Sequence, residues 1–338
     1  MEEKLNGYHE PLLRIYDSYK NFVGENKVYR YGDVLYVSTH NNDEYDMFLT
    51  ADGKHSFIEL FTQKEEEGYT PVSKAADLQN KAGEDIIVKS AEVANAFNAS
   101  LPYFKDIVVR DVEVSQTVTM KATEKITLDG VELSGGKDSS NGKIIYAAKE
   151  MALKNITAKE NTTLYNAFEG YQSTSDANYK GLKKLVAENI DIDCPSITHN
   201  IINVYTPADG AEILVKNSKF NITVDNTNPL RLANYMNAEN ATVVFENVDW
   251  TYENSLTQNA WKWAGLVIYQ PSVSDIALGG DLTKLKTWTF IFRNCRYNGE
   301  KITENNFGQH NQAFYLYDIG HTGQVTDPVE NGIRVIFE

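Results

Sequence analysis

The sequence predicts an all-β chain that winds as a solenoid of three short strands per turn, preceded by a small helix-plus-sheet module. Three observations predict this. An eight-residue pattern recurs seven times, the buried positions inside each copy switch parity, and a further short strand falls between successive copies. The pattern reads apolar, any, apolar, polar or charged, Asn/Asp/Gly, usually apolar, polar, apolar. Its copies are IVVRDVEV from Ile107, ITLDGVEL from Ile126, MALKNITA from Met151, LVAENIDI from Leu185, ILVKNSKF from Ile213, VVFENVDW from Val243 and FIFRNCRY from Phe290.

Positions one and three alternate with polar residues, which is strand periodicity. After position five the apolar positions become six and eight. An unbroken strand would put those on the opposite face, so the chain must bend at position five. The residues there are Asp111, Gly130, Asn155, Asn189, Asn217, Asn247 and Asn294, the types that tolerate left-handed backbone angles at least cost. Stacked amides could also hydrogen-bond along the column. Copies start 19, 25, 34, 28, 30 and 47 residues apart, the mark of a constant turn with loops of differing length. Ordinary hairpins would use the same turn residues but would not share the parity switch. The intervening strands are KIIYAA from Lys143, TLYNAF from Thr163, NIINVY from Asn200, LRLANY from Leu230, GLVIYQ from Gly265 and AFYLYD from Ala313.

The asparagine column between the second and third strand of each turn resembles the right-handed parallel β-helix of the pectate-lyase-like superfamily, over residues of about 100 to 338. The resemblance implies a single-stranded parallel β-helix with an asparagine ladder. It implies no activity, because that scaffold carries lyases, hydrolases, adhesins and phage tailspikes. It also implies a helical cap and a first strand at residues 69–105, before the β-helix proper at 106–338. Helix-capable stretches at 75–81 and 91–98 around a strand at 86–89 fit that start. IRVIFE from Ile333 reads as a closing strand, with Glu338 expected near another subunit or beneath the loop at 320–330.

Residues 1–26 read as an N-terminal helical arm, with the helix at 11–22, and residues 27–68 as a small antiparallel sheet and linker. The sheet has turns at 31–33, 41–43 and 52–53. Cys194 and Cys295 are the only cysteines. Three turns apart, roughly 14 Å at about 4.8 Å per turn, they are too distant for a disulfide, so free thiols are expected.

With 32 Lys+Arg against 47 Asp+Glu the net charge is −15, which argues against binding to nucleic acid or anionic lipid. No apolar run reaches the roughly 18–20 residues of a membrane helix, and residues 1–22 lack the apolar stretch of a secretory signal. Composition, 42% hydrophobic and 11% aromatic, supports a real core.

For catalysis, the polygalacturonase-like members of the resembled superfamily pair carboxylates with an Asp-Asp, a Gly-His-Gly and an Arg-Ile-Lys. Here Asn189-Ile190-Asp191 matches only the first element, Gly320-His321-Thr322-Gly323 lies in a late loop, and Gly332-Ile333-Arg334 lacks the lysine. Asp191, Asp193 and Asp249, with Lys219 between, could form a calcium or sugar site or merely a solvated acidic face. The glycine-rich loop at 135–142 lacks Walker spacing and reads as a turn. No catalytic residue, cofactor or metal ligand is therefore assigned.

A better binding candidate lies in three insertions, at 251–264, 271–287 and 298–312. They carry Tyr252, Trp261 and Trp263, then Asp275 and Asp281, then Asn305, Asn306, Gln309 and His310. Aromatic faces beside amides and carboxylates suit a carbohydrate groove, and Trp261, Trp263, Tyr252, Asp281 and His310 form the expected glycan set. The tryptophans could equally pin a long loop. The expected function is a structural or adhesive virion protein of a tailed phage, a head or tail fibre or spike. The resemblance to such shafts implies a homotrimer, with other virion proteins docking on the N-terminal module and a surface glycan as ligand. The alternative is a secreted or surface carbohydrate-active protein, a polysaccharide lyase, hydrolase or glycan-binding module, of a gut bacterium.

Overall fold

The computed structural model describes residues 14–16, 22–25, 29–31, 34–38, 48–50, 66, 68–135, 142–160, 162–171, 176–193, 196–222, 228–234, 236–252, 266–270, 282–305, 314–318, 324–326, 329 and 332–338. The chain divides into two units, Met1–Tyr69 and Thr70–Glu338.

In the first unit Arg14–Tyr16 and Phe22–Glu25 pair as antiparallel strands, which corrects the helix expected over residues 11–22. Apolar residues surround that segment instead of forming one stripe, and its Ile15, Tyr16, Phe22 and Val23 favour extended backbone. Tyr29–Tyr31, Val34–Ser38 and Phe48–Thr50 form a three-stranded antiparallel sheet.

The second unit is all-β, dominated by one large and mostly parallel sheet with few short helices. Its strands fall into two ladders. The first runs through Thr70–Pro71, Asp85–Val88, Phe104–Arg110, the later half of Val118–Asp129, Glu150–Ala158, Leu182–Asp193, Pro207–Ile222, Thr242–Tyr252, Thr289–Arg293 and Arg334–Phe337, every neighbour parallel. The second runs through Val118–Lys121, Gly142–Ala147, Thr163–Gly170, Ser196–Val204, Asn228–Ala233, Leu266–Gln270 and Phe314–Asp318, again all parallel. The chain leaves one ladder for the other and returns one strand further along.

Register aligns the octads residue for residue. Positions one and three are buried throughout, from Ile107 and Val109 to Phe290 and Phe292. Full burial of an aliphatic or aromatic side chain contributes roughly 1.5–3 kcal/mol, so these two columns supply much of the driving force. Toward the C-terminus they become aromatic: Phe245 stacks on Phe292 at 5.2 Å, and Phe292 on Phe337 at 5.8 Å. Ser218 breaks the apolar pattern at position six. Its hydroxyl donates to Lys216 O at 2.7 Å and accepts from Ile190 N at 3.1 Å, which satisfies it.

The bend at position five is a left-handed residue in every octad: Asp111, Asn155, Asn189, Asn217, Asn247 and Asn294 have φ of 48–55°, and Gly130 has 65°. Asn189 Nδ2 donates to Asn155 Oδ1 at 2.7 Å, Asn247 Nδ2 to Asn217 Oδ1 at 3.1 Å, and Asn294 Nδ2 to Asn247 Oδ1 at 2.9 Å. Gly130 has a second reason to be glycine. A Cβ there would lie 2.3 Å from Asp111 Oδ1, and Asn155 Nδ2 instead bonds Asp129 Oδ1 at 2.7 Å.

Position four carries alternating charge: Arg110, Asp129, Lys154, Glu188, Lys216, Glu246, Arg293 and finally Glu338. Arg110–Asp129 lie 3.7 Å apart, Lys216–Glu188 2.9 Å and Arg293–Glu246 3.6 Å. Glu338 closes the row. Its carboxylate meets Arg293 Nε at 2.5 Å and its backbone N–H donates to Phe292 O at 2.9 Å. A one-rung slip would set like charges together, so the row reinforces register.

At the amino end of this unit the 3₁₀-helix Ala75–Asn80, the strand Asp85–Val88 and the helix Ala91–Ala94 lead into the ladders. Asn95 ties that helix to the next turn. Its amide donates to Ala91 O and Glu113 O, and its carbonyl accepts from the N–H groups of Ser115 and Gln116. Cys295 is a buried free thiol, while Cys194 lies outside the described residues. No helix among the described residues is long and apolar enough to cross a membrane.

Candidate functional site

The second ladder holds a polar row, buried at Glu169 and Asn203 and partly exposed at Arg231. Glu169 pairs in register with Asn203, and Asn203 with Arg231, so carboxylate, carboxamide and guanidinium sit on adjacent strands. An interior asparagine pair positions Glu169. Asn200 donates from N and Nδ2 to Asn166 Oδ1 at 3.0 and 2.9 Å, and Asn166 Nδ2 donates to Glu169 Oε2 at 2.8 Å. Gly142 clears the space, since a Cβ there would lie 2.5 Å from Glu169 Cβ.

Asn203 is the anomaly. The side chain is fully buried, yet neither Nδ2 nor Oδ1 has a hydrogen-bond partner, although its backbone carbonyl accepts from Tyr146 Oη at 3.2 Å. An unsatisfied buried amide costs about 1–3 kcal/mol, so such a group marks a place where a further partner would be gained.

Tyrosines surround the row. The Arg231 guanidinium lies 5.4 Å from the Tyr205 ring centre, and Tyr171 and Tyr179 meet edge to face at 6.0 Å. Tyr179 Oη and Thr206 Oγ1 are 2.7 Å apart, and Thr206 Oγ1 donates to Tyr171 O at 3.0 Å. Further along, Tyr103 Oη donates to Asp176 Oδ2 at 2.7 Å, with Lys121 Nζ 5.2 Å from the ring centre. Burial pushes the Tyr179 phenol up to about 12 despite the Thr206 bond, which pulls the other way. Burial also raises Tyr146 and Tyr103, the latter helped by the Asp176 carboxylate. All three stay neutral at physiological pH, so none serves as a nucleophile.

Of the expected glycan set, Trp261, Trp263, Asp281 and His310 lie outside the described residues, and Tyr252 is described only as the backbone end of Thr242–Tyr252. The glycine-rich loop is likewise outside at 136–141, as is the Asp193 side chain. The acidic row expected as a calcium or sugar site is interrupted: Asp191 pairs with Lys219, Lys219 with Asp249, and Asp249 with Arg296. Among the described residues no group of three or more His, Cys, Asp or Glu could hold a metal ion. Glu113, the other prominent carboxylate, is held below the usual range by Lys159 Nζ and the Ser134 hydroxyl, both at 2.5 Å.

Glu169, Asn203 and Arg231 were reachable from the sequence by one signal. Glu169 precedes Asn203 by the same 34 residues, and Asn203 precedes Arg231 by the same 28, that separate successive octads. No known protein family, curated protein or solved structure matches the chain.

Proposed function

We propose that residues 70–338 form a right-handed parallel β-helix of three strands per turn, and that the chain is a structural, adhesive protein of a tailed-phage virion, a head or tail fibre or spike. In this reading the strands build a rigid shaft, the tyrosine-walled row on the second ladder recognises a glycan of the host surface, and residues 1–69 attach the shaft to its neighbours. Support for the shaft comes from the alternation between two parallel ladders, with a left-handed residue at every recurring bend.

The observation that carries the adhesive reading is the partly exposed guanidinium of Arg231, 5.4 Å from the Tyr205 ring centre and in register with Asn203 and, beyond it, Glu169. A partly exposed guanidinium offers several fixed donors, which suit the hydroxyls and carboxylates of a surface sugar. The test is calorimetric titration of the purified chain with host envelope polysaccharide. Binding should weaken at least tenfold in Arg231→Ala, while the β-sheet circular dichroism of that variant is retained. Absence of binding by the native chain overturns the adhesive reading. Release of new sugar ends during the titration would favour a polysaccharide-cleaving enzyme instead.

A further inference from the structure

We infer that the outer face of the first ladder is a self-complementary surface that docks face to face with a second copy of the chain, both copies running in the same direction. Position two of each octad alternates with core residues and so points away from the interior. Register joins these positions into one column: Val108, Thr127 and Ala152, continuing through Val186, Leu214 and Val244 to Ile336. A strand face that meets only water alternates toward polar residues, yet this column is aliphatic at almost every rung. Val108 and Ala152 are buried but do not belong to the core cluster, and Val186, Leu214 and Val244 are partly exposed.

The rims say what covers it. Seven of the strands carry one charge two residues before the stripe and another two residues after it, and the two are opposite in sign. The pairs are Asp106 with Arg110, Lys125 with Asp129, Glu150 with Lys154, Lys184 with Glu188, Glu212 with Lys216, and Arg334 with Glu338. Asp85 and Lys89 follow the same rule, Thr242–Tyr252 and Thr289–Arg293 carry threonine on one rim, the two-residue strand Thr70–Pro71 carries no rim charge, and no strand carries like charges. Attraction along one column does not require this, because the rims of a strand are four residues apart, roughly 13 Å at about 3.3 Å per residue.

A twofold axis parallel to the stacking direction uses it fully. Each strand then faces its own counterpart running the opposite way, the stripe meets itself on the axis, and every charged rim meets the opposite sign. Reversing the second copy end for end leaves Asp85–Val88 unmatched. A threefold arrangement would join rim to rim and leave the central stripe open. Nine strands at about 4.8 Å and a width of roughly 20 Å give on the order of 750 Å² per copy, close to the ~800 Å² of a standard interface. The inference rests on register, burial and rim charge of the first ladder and stands whether or not a glycan binds.

Light scattering on the full chain at tens of micromolar should give twice the 38.1 kDa chain mass. Leu214→Lys, or Val244→Lys should that variant fail to fold, should give a monomer with an unchanged circular dichroism spectrum. Leu214→Cys, in a Cys194→Ser background, should be joined to a second copy by a short bis-maleimide that spans the roughly 10 Å between packed sheets, whereas Thr157→Cys in the same background, on another face, should not. A monomeric or trimeric native chain, a dimer that survives both lysine variants, or failure of Leu214→Cys to cross-link would each overturn the inference.

Discussion

Asn189 sits at φ 55° and donates its amide to Asn155, so its side chain and its backbone contribute separately. Alanine would lose the hydrogen bond, about 1 kcal/mol, and would pay about 1–2 kcal/mol for a left-handed angle. Glycine would lose only the bond. Denaturant titration should therefore rank Asn189→Ala about 1–2 kcal/mol below Asn189→Gly; equal losses would mean that the column's amides, and not its backbone angle, select asparagine. A second residue speaks through pH. Burial pushes the Cys295 thiol from 9.0 up to about 11. Above pH 9 the unfolded chain releases this proton first, so its contribution to stability is complete below pH 9 and declines as pH rises through about 11. Between pH 9 and 10 the native chain should lose stability more steeply than Cys295→Val, read as urea midpoints. Parallel slopes would show that the thiol does not titrate on unfolding.

At the level of the strand, the alternating charge row makes a separable claim. Lys216 stands between Glu188 and Glu246, and its ammonium is 2.9 Å from Glu188. Lys216→Met should cost under about 1 kcal/mol, the usual worth of such a pair. Lys216→Glu places three carboxylates on consecutive rungs and should cost about 1–2 kcal/mol, an excess that shrinks in 1 M salt. If the two variants are equally stable at low salt, the row is decoration. The octads were legible because strand periodicity and the switch at position five lie within eight residues, where no loop intervenes. The second ladder was legible only as short apolar runs. Its polar row required carrying the octad spacing across loops of differing length, and Asn166 and Asn200, though inside the strands read at TLYNAF and NIINVY, gave no signal that they pair. The helix expected at 11–22 failed for the opposite reason: abundant apolar residues were present, but no periodicity told helix from strand.

Across the whole chain, the core residues of the second unit run from Val72 to Ile333 in one cluster, and the unit begins at Thr70. Thr70–Pro71 is itself the first rung, paired with Ile86 and Ile87. Stability in a stack of similar rungs is close to a sum of neighbour contacts, so what matters is whether a cut removes a rung or only what precedes it. Residues 70–338 produced alone should keep the β-sheet circular dichroism and a single cooperative thermal transition near that of the full chain. Residues 91–338 lose the first two rungs and the 3₁₀-helix with its buried Leu78, which exposes Ile107 and Val109 on the next strand. Each such side chain forfeits roughly 1.5–3 kcal/mol of burial, a large share of a typical 5–15 kcal/mol, so this fragment should melt far lower or aggregate. If both fragments melt alike, the cap is dispensable and the ladders begin at Phe104. If residues 70–338 fail to fold, the boundary at Tyr69 is not a boundary of stability.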